Sequence, residues 1–467
     1  MRLLVILLLI IMILPIAYAD TDIHQTGRIT DTIQDLIEIE NPKAVTEMDV
    51  EIVQSGTLTI TGDVNKINIT LYIPQESVKN LDVSSNVNYE WSYVFDAFGN
   101  RQVLFEWDNV NDQQIEYSVV SLIESKGKHT FRNKRILDGP EHEIYLAETE
   151  DILFSTEIKE LAFPFERTLK RAADLSILVH NLMEYDIDIV GQRQSSIWAL
   201  ENEKGVCVEH ANLLAALLRS AGIPTRYVVG YAYSYSDKKL IGHTWVEVPV
   251  ESGWVPFDPT WLQGGNLDAT HIITSRLLDD NQKDRLMYVG RGQIDWQRNK
   301  DEFEINNFNE ESIIDLSLST DDFAVNTNGY IELYAKTNEC SIVGIDTHSC
   351  VDESSEPFMD IYEKERKKWI CGNTYFYWMF STSNLKETNL YGCPVTVYED
   401  TGSSEIIDVG FEGSKQLQDI FIRGPNTISV NELFDLEAVT DNNYIFFSPS
   451  TKRYNEKEIS ISLSQPG

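Results

Sequence analysis

The sequence predicts an α+β core flanked on both sides by β-rich regions, and three observations lead to this prediction. Short alternating segments fill residues 20–150, a helical period followed by strand-like segments fills residues 151–300, and residues 301–467 are again β-rich. A chain of 467 residues is long enough for about three domains, at roughly 150 residues per domain. We therefore predict one domain in each range, preceded by a signal segment at residues 1–19.

The amino-terminal region shows the two-residue period of antiparallel strands. Apolar and polar side chains alternate in Gly56–Thr61 and in Lys66–Ile73, and Gly and Asn separate the candidates that follow. Short strands at this spacing are typical of an antiparallel β-sandwich. The further candidates are Tyr89–Phe95, Gln102–Trp107 and Glu116–Leu122. No catalytic cluster is evident among them.

The middle region begins with helical spacing and continues with strands. Apolar residues recur at helical intervals from Ile158 and predict a helical segment that reaches Ile187. A second helix is predicted from Cys207 to Ala221, where the Gly and Pro that follow are typical of a helix end. Helices followed by strands give an α+β order. The strand candidates are Thr225–Tyr235, His243–Val248 and Trp254–Phe257.

The carboxy-terminal region combines strand candidates with cysteines. Its four cysteines are separated by 9, 20 and 21 residues, which is not the close pairing of a zinc site. In an exported chain such a set predicts two disulfides, and three pairings are open. The cysteines are Cys340, Cys350, Cys371 and Cys393, and the strand candidates are Gly329–Lys336, Thr374–Phe380, Val395–Tyr398 and Tyr444–Phe447.

The first nineteen residues have the features of an export signal. Arg2 supplies a positive charge, Leu3–Ile16 is apolar, and Ala17-Tyr18-Ala19 offers a small-x-small cleavage site. The alternative is an uncut membrane anchor, although a full span normally needs about 20 apolar residues. Both interpretations predict a secreted or cell-surface protein, and no second apolar stretch of this length occurs in the sequence.

The charge balance excludes some classes of partner. Asp and Glu number 74 against 38 Lys and Arg, which gives a net charge of −36. Such a chain is poorly suited to binding nucleic acid or anionic lipid through its overall field. We expect no nucleic-acid partner, and no membrane contact beyond the amino-terminal segment if it stays uncut.

Cys207 is the candidate nucleophile. It begins a predicted helix, directly after the Gly205-Val206 pair, and it is the cysteine left without a disulfide partner. The positive end of the helix dipole favours the thiolate, which is the form that attacks carbonyl groups. A backbone N–H at the helix start can also face a developing oxyanion.

His243 and Asp258 form the second part of this prediction. They are 15 residues apart on two predicted strands. A four-residue loop at Pro249–Ser252 places them directly opposite each other, with Cβ atoms about 5 Å apart. The competing register, with a two-residue turn at Ser252-Gly253, places Asp258 opposite Glu247 and leaves His243 without a partner. The longer loop is therefore predicted.

Four motifs in this order strongly resemble those of the transglutaminase-like superfamily. They are Gly205–Cys207, Gly222–Arg226, Gly242–Glu247 and Trp254–Thr260. The resemblance covers about residues 151–275 and implies a papain-like α+β core with a Cys-His-Asp triad. Carried over, Cys207 is the nucleophile, His243 the general acid and base, and Asp258 the residue that orients His243.

The implied chemistry is attack on an amide carbonyl, release of ammonia or an amine, and formation of a thioester. Water as second substrate gives a protease or amidase, and an amine gives a cross-linking transglutaminase; the triad does not distinguish them. Gln194 and Trp198 are candidates for a second oxyanion donor. We predict no cofactor and no obligatory metal, because the acidic pairs show no calcium-ligand spacing.

Two functions of different class follow. The first is an exported cysteine enzyme acting on protein or peptide amides. The alternative is a non-catalytic surface adhesion or scaffold protein that retains the core. Because Cys207, His243 and Asp258 are all present, the enzyme is the favoured prediction. We also expect Arg226 to form a structural ion pair and His210 to be structural.

Overall fold

The computed structural model describes residues 38–111, 113–129, 134–319, 330–347, 350–351, 359–360, 366–380, 390–412, 421–423, 436–440 and 443–447. The predicted signal segment at residues 1–19 lies outside these residues. The α-helices are α1 (Thr156–Ala162), α2 (Leu169–Leu182), α3 (Ser196–Asn202) and α4 (Cys207–Ser220). Short 3-10 helices are Pro42–Ala44, Pro140–Leu146 and Ile187–Ile189. Among the residues described, no helix combines the length and the apolar character needed to cross a membrane.

Strands make up most of the regular structure. The first group is β1 (Val45–Thr61), β2 (Asp63–Tyr72), β3 (Ser77–Ser85), β4 (Glu90–Phe95), β5 (Arg101–Asn111), β6 (Gln114–Lys126) and β7 (Lys128–His129). The second group is β8 (Glu184–Tyr185), β9 (Lys204–Gly205), β10 (Arg226–Ser234), β11 (Lys239–Val250), β12 (Gly253–Asp258), β13 (Gln263–Gly264), β14 (Asn266–Leu267), β15 (Ile272–Leu277), β16 (Arg285–Gly290), β17 (Gln293–Arg298) and β18 (Glu302–Glu310). The third group is β19 (Leu316–Ser319), β20 (Tyr330–Asp346), β21 (Met359–Asp360), β22 (Lys367–Phe380), β23 (Leu390–Glu399), β24 (Ser404–Glu412), β25 (Phe421–Arg423), β26 (Leu436–Thr440) and β27 (Asn443–Phe447).

Two antiparallel sheets contain the strands of the amino-terminal region. One has the order β17-β1-β6-β3, with β18 also on β1, and the other has the order β16-β2-β5-β4. Because side chains alternate along a strand, each sheet turns one apolar row inward, and residues such as Leu58, Phe105 and Trp107 meet in one buried cluster. Strands β16–β18 follow the helical region in sequence, so residues 285–310 extend sheets that begin near residue 45.

The middle region forms an antiparallel sheet of order β13-β12-β11-β10-β15 with α4 packed against β11. Residues Glu209–Arg219 of α4 are all buried, since α1, α2, α3 and the sheet surround this helix. Gly222, with φ of +76°, makes the left-handed turn after α4 that the sequence predicts. The helix over Cys207–Ala221 is therefore confirmed to within one residue.

The predicted helical segment from Ile158 to Ile187 is wrong as one continuous element. It is divided into α1 and α2, with Pro164 between them, because proline cannot donate the hydrogen bond that a helix interior requires. The segment also ends earlier, at Leu182, and Glu184–Tyr185 pairs with β9. Helix α3 was not predicted, since its seven residues give too short a pattern.

The carboxy-terminal region forms a sheet of order β21-β22-β20-β23-β24, with β19 on β20. Its cysteines pair as Cys340–Cys371 and Cys350–Cys393, which resolves the three pairings left open by the sequence. Ile342 and Trp369 of this sheet pack into the same buried cluster as α4. The carboxy-terminal sheet therefore contributes to the core that supports the candidate site.

Candidate active site

Cys207 lies at the first position of α4 as a partly exposed free thiol, and the other four cysteines are in disulfides. The turn before it needs glycine, because a Cβ on Gly205 would come within 2.4 Å of the Glu209 Cβ. The Glu209 carboxylate accepts the Val206 backbone N–H at 3.0 Å and the Gln194 backbone N–H at 3.2 Å. The helix start is thus fixed by its own first turn.

The hairpin that carries His243 and Asp258 differs from both predicted registers. Val250 pairs with Gly253 and Val248 pairs with Val255, so the connection is the two-residue turn at residues 251–252. The predicted four-residue loop at Pro249–Ser252, with Val248 opposite Gly253, is therefore wrong. The longer loop was predicted because it places His243 directly opposite Asp258, whereas in the observed register the two side chains meet diagonally.

The error is two residues, so it leaves every side chain on its predicted face. Val246, Val248, Val255 and Phe257 point into the core cluster as predicted. His243 and Asp258 share the other face, and the His243 Nε2 lies 2.9 Å from the Asp258 Oδ2. They meet as diagonal neighbours and not as the directly opposed pair that was predicted.

The charges around His243 decide its protonation state. Both His243 and Asp258 are buried, and the partly exposed Cys207 thiol interacts electrostatically with His243. Burial by itself would lower the pKa of His243, but the Asp258 carboxylate and the Cys207 thiol outweigh burial and raise this pKa to about 10. Burial would raise the pKa of Asp258, yet His243 and His271 hold it well below its usual range. The structure therefore favours an imidazolium beside a carboxylate.

Asp258 and His243 are also held by Thr260 and Trp261. The second carboxylate oxygen, Oδ1, accepts the backbone N–H groups of Thr260 at 2.8 Å and of Trp261 at 3.4 Å. The indole of Trp261 stacks on the His243 ring, with centroids 4.1 Å apart and planes at 6°. Two backbone N–H groups and a stacked indole ring thus fix the orientation of both side chains.

Two further residues, His271 and Asp268, belong to this buried network. The His271 Nε2 lies 3.4 Å from the Asp258 Oδ2, and its Nδ1 lies 3.2 Å from the Asp268 Oδ1. Sequence reasoning missed both residues. The signal that could have found them is the Asp268-x-x-His271 spacing just after the Asp258 strand, in a segment with few other charges.

The remaining candidate residues have clear positions. His210 is buried on α4, with its Nδ1 2.8 Å from the Val206 carbonyl oxygen, in agreement with a structural role. Arg226 forms the predicted ion pair, with its Nε 2.7 Å from the Glu247 Oε2. Gln194 is bound through its backbone to Glu209 and Asn212 beside the start of α4. Trp198 lies on α3.

The nearest ring nitrogens of His243 and His271 and one Asp258 oxygen all lie within 4.8 Å of one another. Three such atoms are spaced as a cation would need. The same three side chains contact one another directly, with the His243 Nε2 2.9 Å and the His271 Nε2 3.4 Å from the Asp258 Oδ2. The arrangement is that of a hydrogen-bonded ionic network.

The family comparison agrees with this core. Residues 159–259 match the model of the transglutaminase-like superfamily. This region contains α4, β10, β11 and β12, and with them Cys207, His243 and Asp258. The predicted transglutaminase-like core is therefore confirmed for this part of the chain.

Individual relatives match shorter parts of the chain. An uncharacterized protein of Mycobacterium leprae is 37% identical over 123 residues, which cover 24% of this chain and 42% of that protein. The uncharacterized protein YebA of Bacillus subtilis is 38% identical over 73 residues, which cover 13% of this chain and 10% of YebA. The chain thus spans less than half the length of these curated relatives.

Similar solved structures include a candidate cysteine protease from Cytophaga hutchinsonii, with a TM-score of 0.42 and 16% identity over 57% of this chain and 93% of that chain. Red sea bream transglutaminase gives a TM-score of 0.16 and 9% identity over 83% of each chain. Neither structure is close enough to assign an activity.

Proposed function

We propose that this chain is an exported cysteine enzyme that acts on protein or peptide amides through a thioester. Cys207 is the nucleophile, His243 the general acid and base, and Asp258 the residue that orients His243. The observation that supports the proposal is the buried His243–Asp258 pair, whose imidazole interacts electrostatically with the Cys207 thiol at the start of α4. Export is supported by the apolar amino-terminal segment and by the two disulfides.

The reaction follows from these groups. The Cys207 sulfur attacks the amide carbonyl carbon, and the carbonyl oxygen takes up the negative charge facing the N–H groups at the start of α4. His243 donates its proton to the departing nitrogen, so that ammonia or an amine leaves and a thioester remains. His243 then accepts a proton from water or from an incoming amine, which attacks the thioester and releases Cys207.

A first experiment tests the nucleophile without a substrate. Iodoacetamide should alkylate Cys207 of the folded protein selectively at neutral pH, and His243→Ala should slow this labelling by at least about 10²-fold because the thiol loses its base. His142→Gln, which removes a histidine beside Trp254, is the matched control and should label like the wild type. Equal labelling of wild type and His243→Ala would contradict the proposal and favour a non-catalytic scaffold.

A second experiment separates the three reactions that the same residues support. The protein is incubated with a pool of Gln- and Lys-containing peptides, and the products are analysed by mass spectrometry. Shorter peptides indicate proteolysis, a mass gain of about 1 Da at Gln indicates deamidation, and joined peptides indicate cross-linking. Cys207→Ala is the control and should yield none of these products, because no other group supplies the thioester.

A further inference from the structure

His271 contacts the same carboxylate oxygen as His243. Its Nε2 lies 3.4 Å from the Asp258 Oδ2, which the His243 Nε2 contacts at 2.9 Å. The other ring nitrogen, Nδ1, lies 3.2 Å from the Asp268 Oδ1. His271 and Asp268 are only 3% and 5% exposed, so water does not compete for these contacts. Each of the two ring nitrogens of His271 therefore faces a carboxylate.

The charges around His271 favour its protonated state, with a hydrogen bond from Nε2 to Asp258 and an ion-pair contact between Nδ1 and Asp268. A neutral imidazole has one N–H donor and one lone pair, so one of its nitrogens would face a carboxylate without a proton. The imidazolium donates from Nε2 to Asp258, and its positive charge lies beside the Asp268 carboxylate. Burial would lower the pKa of His271, but Asp268 and Asp258 outweigh burial and raise it. The four groups His243, Asp258, His271 and Asp268 thus alternate in charge.

We infer that His271, held by Asp268, is a positioning residue: it fixes the Asp258 carboxylate against His243, and its charge limits how tightly that carboxylate retains the His243 proton. This inference rests on the proposed function. The rings of His243 and His271 have centroids 5.6 Å apart, so a charge on one is felt by the other. A neutral residue at position 271 would remove one of the two imidazolium groups that contact the Asp258 carboxylate.

The benefit to catalysis follows from the need to release a proton. A carboxylate with a single buried imidazole partner holds the proton of that imidazole very tightly, and an imidazolium that never releases its proton cannot serve as a base for water. A second cation on the same oxygen reduces this hold. The Asp268 carboxylate stabilises the positive charge of His271.

Other charged or titratable groups also face His243 and Asp258, and the experiment must keep them unchanged. Cys207 and His210 face them from α4, Tyr185 from β8 and Lys43 from the 3-10 helix at Pro42–Ala44. None of these four residues is substituted below, so a shift in the titration of His243 can be assigned to the His271–Asp268 pair.

The test is the titration of His243, followed by NMR of protein labelled with ¹⁵N-histidine and by the alkaline limit of Cys207 alkylation. In His271→Gln the amide can still donate to Asp258, but the charge is gone. We expect the pKa of His243 to rise by roughly one unit, because a neighbouring like charge is removed. Asp268→Asn should produce a smaller rise of the same sign, and His142→Gln should produce none.

Two outcomes would overturn the inference. An unchanged His243 titration in a folded His271→Gln protein would make His271 a packing residue, and a downward shift would mean that its charge is not felt as proposed. If His271→Gln does not fold, the double variant His271→Gln/Asp268→Asn leaves no unpaired buried charge and should show the same rise. The titration needs no turnover, so absence of any reaction with peptides would refute the proposed function and leave the coupling of His243 and His271 measurable.

Discussion

Two buried carboxylates with nearly the same exposure have pKa values shifted in opposite directions. Asp258 is 0% exposed and Asp400 is 2% exposed. The pKa of Asp258 lies well below its usual range, because two imidazoles outweigh the effect of burial. The pKa of Asp400 is raised to about 7, first by burial and then by the neighbouring carboxylate of Glu399. Burial is common to both, so the partners decide which carboxylate keeps its charge.

The partners of Asp400 explain its position in the structure. Its oxygens accept hydrogen bonds from the Gly264 backbone N–H, the Asn266 side chain and the Ser341 hydroxyl, all of which are neutral donors. These donors belong to β13, β14 and β20, so Asp400 joins the core sheet to the carboxy-terminal sheet. Asp258 and its two imidazoles thus retain charge where chemistry is proposed. Asp400 and its neutral donors instead hold two sheets of the fold together.

The largest expected effect comes from neutralising Asp258. Asp258→Asn keeps a side chain of the same shape beside His243 but removes the charge that stabilises the imidazolium. We expect turnover of any peptide substrate found to fall by about 10³-fold, which is less than the complete loss expected for Cys207→Ala. The thermal melt of both variants should show a folded protein. The exposed Asp82→Asn is the control, and equal activity of Asp258→Asn and wild type would remove Asp258 from the proposed mechanism.

A third buried carboxylate, Glu247, sharpens the comparison because its partners are all cations. Arg226 binds it at 2.7 Å, Lys128 at 3.2 Å and Arg276 at 3.6 Å. Burial would raise the pKa of Glu247, but Lys128, Arg226 and Arg276 lower it to about 2. Glu247 is therefore charged at every pH at which the protein is expected to work.

Glu247→Gln should lower the free energy of unfolding by about 3 kcal/mol, because it leaves the buried Arg226 without its anion. Because the pKa of Glu247 is lower in the folded protein than its unfolded value of about 4.5, ionised Glu247 stabilises the fold above about pH 4.5. This contribution is lost as the pH falls toward 2. The difference between wild type and variant, measured by chemical denaturation, should therefore shrink from pH 6 to pH 3. The exposed Glu302→Gln should cost little at either pH, and a cost for Glu247→Gln that does not change with pH would contradict the assignment.

The sequence predicts the local elements of the site better than their tertiary contacts. The helix that begins at Cys207 is predicted correctly because its caps and apolar spacing are local signals. The faces of the β11–β12 hairpin are also correct, since alternation survives an error of two residues. The register itself is wrong, because turn length depends on how the strands pack and not on the turn residues alone.

The contribution of distant residues could not be predicted. His271 contacts Asp258, and Asp268 contacts His271, because the segment between β14 and β15 leads back to the sheet, where β15 pairs with β10. No periodic pattern in the sequence encodes that approach. Asp400 is separated from Gly264 by 136 residues, so its buried position follows from the packing of two sheets. In the same way, the sheets of the amino-terminal region gain strands β16–β18 from beyond the core. Contacts of this kind arise from topology, which a single sequence specifies only indirectly.

The smallest expected effect comes from neutralising Asp400. With a folded pKa of about 7 against an ordinary value of 3.8, Asp400 binds a proton more tightly in the folded protein. Its protonation therefore stabilises the fold below about pH 4, and this contribution is lost as pH rises to about 7. Lys43, whose own pKa is lowered by burial, lies near enough to offset part of the loss.

Asp400→Asn removes this dependence while it keeps one acceptor for the Gly264, Asn266 and Ser341 donors. At pH 5, where wild-type Asp400 is protonated, the variant should be less stable than wild type. Its amide NH₂ group would face the N–H and O–H donors that surround position 400, and some of these donors would lose their acceptor. At pH 8 wild type bears a buried charge, so the difference should become smaller or change sign. Chemical denaturation of both proteins at the two pH values measures this, with the exposed Asp315→Asn as control. A stability difference that is the same at pH 5 and pH 8 would show that Asp400 is charged throughout, and that neutral donors alone can keep a buried carboxylate ionised in this protein.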